Sequence, residues 1–198
     1  MPQAHGLVEE KPRHGKLVVV SAPSGSGKTT IAREIMRLNP SLTFSVSATT
    51  RAKRTYEVEG RDYFFLTKEE FTRRVAAGEF VEWEEIYGDY YGTLKSEVER
   101  ALTTGRHLMF DVDVNGGLSI KRVYPQALII FIKLPSVEAL RQRLAHRRTE
   151  DEPTIVKRME RVPMELEKGK EFDYQIVNDE LPRAVVEAQK IVEHYLNH

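Results

Sequence analysis

The run Lys16-Leu-Val-Val-Val-Ser-Ala-Pro-Ser-Gly-Ser-Gly-Lys-Thr-Thr30 decides how this chain reads. It opens on a β-branched stretch without polar alternation, the pattern of a strand buried on both faces of a parallel sheet. Residues 22–29 then follow the phosphate-loop spacing G-x-x-x-x-G-K-[ST], with Ala22 in the first position. Such a loop needs small residues, so that successive backbone N–H groups turn inward on a polyphosphate and the following helix adds its positive dipole end. Gly25 and Gly27 meet that need, while Lys28 suits the β- and γ-phosphates and the Thr29 hydroxyl suits Mg²⁺. Ile31, Ile35 and Leu38 follow at i, i+4 and i+7, a helical stripe that stops before Asn39-Pro40. A glycine-rich turn whose lysine points into water is the plain alternative, but strand before and helix after are the context a phosphate loop requires.

Working outward, the strand-then-helix rhythm returns at residues 107–110 and 115–123, at 128–133 and 137–145, and at 174–177 and 181–196. In the last helix Val185, Ala188, Val192 and Tyr195 hold the apolar stripe. This alternation predicts an α/β fold: a three-layer core with a parallel sheet, right-handed crossovers and helices on both faces. Between about residues 44 and 95 the rhythm breaks into aromatic, glycine and charged residues, among them Tyr56, Phe64, Phe65, Trp83 and Tyr90. A small inserted mixed α+β module of short antiparallel strands is expected there. The expected division is a loose leader at 1–15, a core at 16–46 and 96–198, an inserted module at 47–95, and a helical lid at about 140–168.

The chain has 198 residues, 40% hydrophobic and 30% charged, enough for one domain with insertions and too apolar for disorder. Its 30 basic and 30 acidic residues balance, which removes the net-basic footprint of a general nucleic-acid binder. The absence of cysteine excludes disulfides, thiolate nucleophiles and Cys-ligated zinc or iron–sulfur centres. The longest apolar stretch, residues 127–132, is far short of the roughly 20 residues that span a bilayer. The start has no apolar segment of the secretory kind, so a soluble cytoplasmic protein with no membrane partner is expected.

Charged residues cluster. Arg51, Lys53, Arg54 and Arg61 lie beside Tyr56 and Tyr63, and arginine forks match phosphate oxygens in pairs; a solvated basic loop is the alternative. The segment Glu79-Phe-Val-Glu-Trp-Glu-Glu-Ile-Tyr-Gly-Asp89 carries five acids, and Glu82 between Val81 and Trp83 is the one expected to point into an enclosed space. There a carboxylate can accept from the adjacent N1–H and N2–H₂ of guanine, although an acidic surface strand fits the composition equally. Asp111 and Asp113 follow a strand at the end where open α/β sheets bind ligands, and both can approach Mg²⁺ or serve as turn formers. Arg143 and Arg147 share a helical face, and a second helix presents Arg158 and Arg161, the equipment of a lid that neutralises moving phosphate charge or of a soluble surface.

Taken together, the segments SAPSGSGKTT (21–30), FSVSATTRAKR (44–54), EGRDYFF (59–65), FVEW (80–83), YYGT (90–93), FDVDVNGG (110–117), RLAHRRTE (143–150) and IVND (176–179) resemble the guanylate kinase family, within the phosphate-loop nucleoside monophosphate kinases. The resemblance runs from about residue 16 to the last helix. It implies transfer of the ATP γ-phosphoryl to GMP, with Mg²⁺, in purine nucleotide metabolism. It implies that Ala22, Pro23, Ser24, Gly25, Ser26, Gly27, Lys28 and Thr29 bind ATP, with Asn178 near the adenine. Ser47, Glu82, Thr93 and Asp111 are implied to read guanine, and Arg51, Arg54, Tyr63 and Tyr91 to hold the GMP phosphate. Lys28, Arg51, Arg143, Arg147 and Arg158 are the implied catalytic cations, and Thr29, Asp111 and Asp113 the metal groups. The chain departs from the family pattern at Ala22, at Thr29 and Thr93 where serine is common, and at Asn115 where glutamine is usual. Two rivals are a catalytically silent scaffold module of the same fold, which lacks an intact phosphate loop, and a kinase for AMP or a pyrimidine nucleotide, which the FVEW and Thr49-Thr50-Arg51 segments disfavour. Monomer and homodimer are both open.

Overall fold

The computed structural model describes residues 15–23, 25–86, 88–145 and 152–198. The first half runs β1 (Leu17–Ser21), α1 (Lys28–Leu38), β2 (Leu42–Phe44), β3 (Ala48–Thr49), β4 (Phe64–Phe65), α2 (Lys68–Ala76), β5 (Phe80–Ile86) and β6 (Asp89–Leu94). It continues through α3 (Lys95–Thr103), β7 (His107–Asp111), α4 (Val114–Val123), β8 (Leu128–Lys133), α5 (Val137–Ala145), α6 (Glu152–Gly169), β9 (Tyr174–Val177) and α7 (Leu181–Asn197).

The five β1 residues are all buried because β1 is the middle strand of a parallel sheet in the order β2-β7-β1-β8-β9. Side chains alternate across a strand, so Val18 and Val20 pack on one side with Ile31 and Ile35 of α1 and Ala184, Ala188 and Val192 of α7. Leu17 and Val19 pack on the other side with Val98 of α3, Ile120 of α4 and Phe172. Each wholly buried Ile or Phe contributes about 1.5–3 kcal/mol of transfer free energy, which holds the two helical layers to the sheet. The expected α/β core with helices on both faces is therefore present. Leu38 departs from the expected stripe: at 43% exposed it stands at the solvent end of α1, and the buried face stops at Ile35. In α7 the buried line is Ala184, Ala188 and Val192, with Val185 and Tyr195 only flanking it.

A second sheet, β4-β3-β6-β5, stands apart from the first. It was expected to be antiparallel, but β3 and β4 pair in parallel, while β3–β6 and β5–β6 are antiparallel. The direction follows from the long excursion between β3 and β4, which returns the chain to the starting end. Phe71 of α2 stacks on Phe80 at 4.3 Å between centroids and closes this small core with Ala48 and Leu94. In the main sheet the register pairs Val20 with Asp111 and Ser21 with Phe131, which sets the carboxyl ends of β1, β7 and β8 side by side where ligands of such sheets bind.

Candidate functional site

The phosphate loop leaves that shared edge. Gly25 and Gly27 have φ of 93° and 89°, a conformation that side chains resist, and Gly27 stands at the N-cap of α1, where no side chain caps the helix. Its first N–H groups are thus left for an external acceptor. Ala22 is 6% exposed and its methyl packs in the core with Val20 and Ile132, which accounts for alanine at this place. Lys28 Nζ lies 2.8 Å from Asp111 Oδ1 and donates to the Val112 carbonyl at 3.0 Å. Thr29 Oγ1 donates to Asp111 Oδ2 at 2.7 Å. Above them opens a cleft of about 510 Å³, whose other walls include Glu84, Asp113, Arg158, Arg161 and Glu165.

Asp113 stands differently from its partner acid. Its Oδ1 accepts from the Gly116 N–H at 2.8 Å and caps α4, while Oδ2 meets Arg161 at 3.3 Å. Among the described residues no group of three or more His, Cys, Asp or Glu side chains is arranged to hold a metal ion. The adjacent Thr29 hydroxyl and Asp111 carboxylate nevertheless fit Mg²⁺, which takes hard oxygen donors and commonly uses one or two carboxylates beside water and substrate phosphate.

Asp111 is also a wall of a second cavity of about 290 Å³, shared with Ser45, Ser47, Asp62, Tyr63 and Thr93. The β5–β6 register sets Glu82 opposite Thr93, and Thr93 Oγ1 donates to Glu82 Oε1 at 2.6 Å. Burial pushes the Glu82 carboxyl up to about 7, against the Thr93 hydrogen bond, with the Glu84 and Asp113 charges adding to the rise. Beside this cavity Arg51 lies 5.5 Å from the Tyr63 ring centroid, and the Tyr63 and Tyr91 rings meet edge to face at 6.2 Å. Glu57 holds Arg51 in a fork, with Nη2 at 2.7 Å and Nη1 at 3.2 Å, and also accepts the Arg54 N–H at 2.8 Å. First the Arg51 guanidinium, then that amide, hold the Glu57 carboxyl below the usual range.

Several expected residues therefore converge: Lys28, Thr29 and Arg158 on the first cleft, and Ser47, Tyr63 and Thr93 on the second, with Asp111 between. Others do not. Arg54 points to the Tyr56 hydroxyl at 2.9 Å on the exposed side. Arg143 donates to the Asn178 carbonyl at 3.2 Å rather than lining the cleft. Asn178, expected near adenine, is 1% exposed and lies beneath the loop, where its Nδ2 donates to the Ser26 carbonyl at 2.8 Å. Ser24 and Arg147 lie outside the described residues. Glu57 was not anticipated: an acid inside a basic run reads as solvated, and only its spacing from Arg54 hinted at a partner. Arg161, three residues after Arg158 on one helix face, reaches the cleft although the family resemblance did not assign it.

A family model described as Guanylate kinase matches residues 14–195. A guanylate kinase of Symbiobacterium thermophilum is 47% identical over 182 residues, covering 92% of this chain and 86% of its own. One from Bacteroides thetaiotaomicron is 47% identical over 186 residues, covering 92% and 91%. The crystal structure of guanylate kinase from Anaplasma phagocytophilum superposes with a TM-score of 0.68 at 28% identity, covering 92% of this chain and 86% of that one.

Proposed function

Because the chain belongs to the guanylate kinase family, and so catalyses the ATP-dependent phosphorylation of GMP to GDP, we propose how its residues divide that work. The core, residues 16–46 and 96–198, takes ATP on the phosphate loop. The module at 47–95 takes GMP in the second cavity, and the helices at about 140–168 close over both as a lid. The observation that carries this division is Asp111, bonded to Lys28 and Thr29 on one side and lining the Ser47–Thr93 cavity on the other. One acid in the wall between two clefts is what a transfer between two bound nucleotides needs.

Glu82, Thr93 and Ser47 then read guanine, with the Glu82 carboxylate accepting N1–H and N2–H₂. Arg51, Tyr63 and Tyr91 hold the GMP phosphate, and Arg54 turns in from its exposed position when the site fills. Thr29 and Asp111 would hold Mg²⁺, whose chemistry there is to neutralise β- and γ-phosphate oxygens. Asp113, committed to capping α4 and to Arg161, orients the lid contact instead. Lys28, Arg158 and Arg161 offset charge as a GMP phosphate oxygen bonds to the γ-phosphorus and the bond to the ADP oxygen breaks. No general base is needed, because a phosphate monoester with a second pKa of ~6 is already ionised near neutrality. The work of the protein is to align two polyanions and exclude water.

The test of substrate choice is ADP release with ATP and Mg²⁺ across GMP, dGMP, AMP, CMP and UMP. Rapid turnover with GMP and little with AMP is expected; equal rates with the two would refute guanine reading by Glu82. Small-angle scattering should also show compaction when both nucleotide sites are filled, and an unchanged profile would refute the lid.

A further inference from the structure

We propose that Asn178 is a positioning residue for the phosphate loop: its side-chain amide anchors the Ser26 carbonyl, and so turns the Gly27 N–H toward the bound polyphosphate. The inference rests on the loop being the ATP phosphate site. Across a trans peptide the C=O and N–H point to opposite sides, so fixing one fixes the other. Ser26 is fully buried and its carbonyl accepts from Asn178 Nδ2 at 2.8 Å, whereas Gly27, the other half of that peptide, lines the nucleotide cleft. The two sides of one peptide plane are thus divided between the interior and the ligand.

The backbone of Asn178 is itself held on both sides. The Asn178 N–H donates to the Lys133 carbonyl at 2.7 Å, at the end of the β8–β9 ladder, and its carbonyl takes Arg143. Contact with the loop is close: a Cβ on Gly27 would sit 2.7 Å from Nδ2, so position 27 must be glycine for space as well as for its positive φ. The Asn178 Oδ1 is buried without a hydrogen-bond partner among the described residues. What the side chain supplies to the loop is therefore its Nδ2 donor. Aspartate, nearly the same shape, would remove that donor and place a second oxygen against the Ser26 carbonyl.

The experiment titrates the full chain with Mg-ATP and with Mg-tripolyphosphate, which has the phosphates and no base, in wild type, Asn178→Asp, Asn178→Ala and Lys28→Ala. Both Asn178 variants should weaken ATP and tripolyphosphate by the same factor, about five- to tenfold, the size of one net hydrogen bond. GMP affinity should not change, which also reports an intact fold. Weaker ATP binding with unchanged tripolyphosphate binding would overturn the proposal in favour of a base contact. Unchanged binding of both, or equal loss of GMP binding, would overturn it too. If Lys28→Ala leaves tripolyphosphate binding untouched, the loop is not the phosphate site, and the proposal falls for that separate reason.

Discussion

Lowering the pH from about 8 to about 6 should weaken GMP binding about tenfold through Glu82 alone. Guanine offers two donors to this carboxyl, so the ligand selects the ionised form. In the free protein burial holds the group at about 7. The apparent dissociation constant then scales as one plus the ratio of protonated to ionised Glu82, roughly 1.1 at pH ~8 and roughly 11 at pH ~6. The GMP phosphate also titrates near pH ~6, which would confound a single profile. Glu82→Gln removes the difficulty, because glutamine does not titrate while the ligand's own ionisation is common to both proteins. Calorimetric titration of both across this range should give a variant to wild-type ratio that is largest at pH ~8 and falls about tenfold by pH ~6. A ratio flat with pH would refute both the enclosed carboxyl and its role. Stability runs the opposite way with pH: a raised carboxyl pKa contributes stability present below the unfolded value of 4.5 and lost as pH rises through about 7. Ionising Glu82 in the empty site therefore costs on the order of 3 kcal/mol, and Glu82→Gln should melt higher than wild type at pH ~8 without ligand.

Three further perturbations separate the parts of the site. Lys28→Ala should lower kcat by roughly 10²- to 10³-fold in the ADP-release assay, the loss that follows removal of one oriented charge-stabilising donor, and a change under fivefold would contradict its placement. Glu57→Gln, which weakens the fork on Arg51, should raise the KM for GMP about tenfold with a smaller effect on kcat and none on ATP affinity, as steady-state kinetics would show. Gly27→Ala should destabilise the fold by about 1–3 kcal/mol in chemical denaturation, because it forces a side chain into positive φ and against the Asn178 amide.

The phosphate loop was legible because everything that defines it is local: a buried strand, two glycines, Lys28 and a helix stripe. Where Asp111 lies was legible only conditionally. Its place beside the loop depends on β7 being the neighbour of β1, and no local pattern states strand order; the Val20–Asp111 register supplies it. The β3–β4 pair failed for a related reason, since two-residue strands joined by a long excursion carry no sign of direction. Leu38 misled because periodicity records which way a side chain points and not whether anything lies there to cover it. Asn178 was expected beside the adenine, and instead lies buried against the Ser26 carbonyl. That it lies underneath the loop rather than in the cleft depends on burial, which a single residue in a strand-to-helix turn does not reveal.

The equal count of acids and bases takes on a physical sense once the partners are known. Three cations assigned to phosphates already face carboxylates: Lys28 meets Asp111, Arg51 meets Glu57 and Arg161 meets Asp113. A half-buried cluster of bare cations would repel itself and raise the free energy of the empty fold, and paired carboxylates remove that penalty. They also set the arginine forks in place before ligand arrives, so less side-chain freedom is lost on binding. The same pairing opposes binding, since an incoming phosphate must compete with or share each carboxylate. Sharing is open at both half-buried cations: Arg51 has five donors, of which Glu57 takes two and the Ala52 carbonyl one, and Lys28 has three, of which Asp111 and the Val112 carbonyl take two. A Glu57 variant should therefore impair GMP binding rather than relieve it, since it loosens the Arg51 fork without freeing a donor that the phosphate lacks.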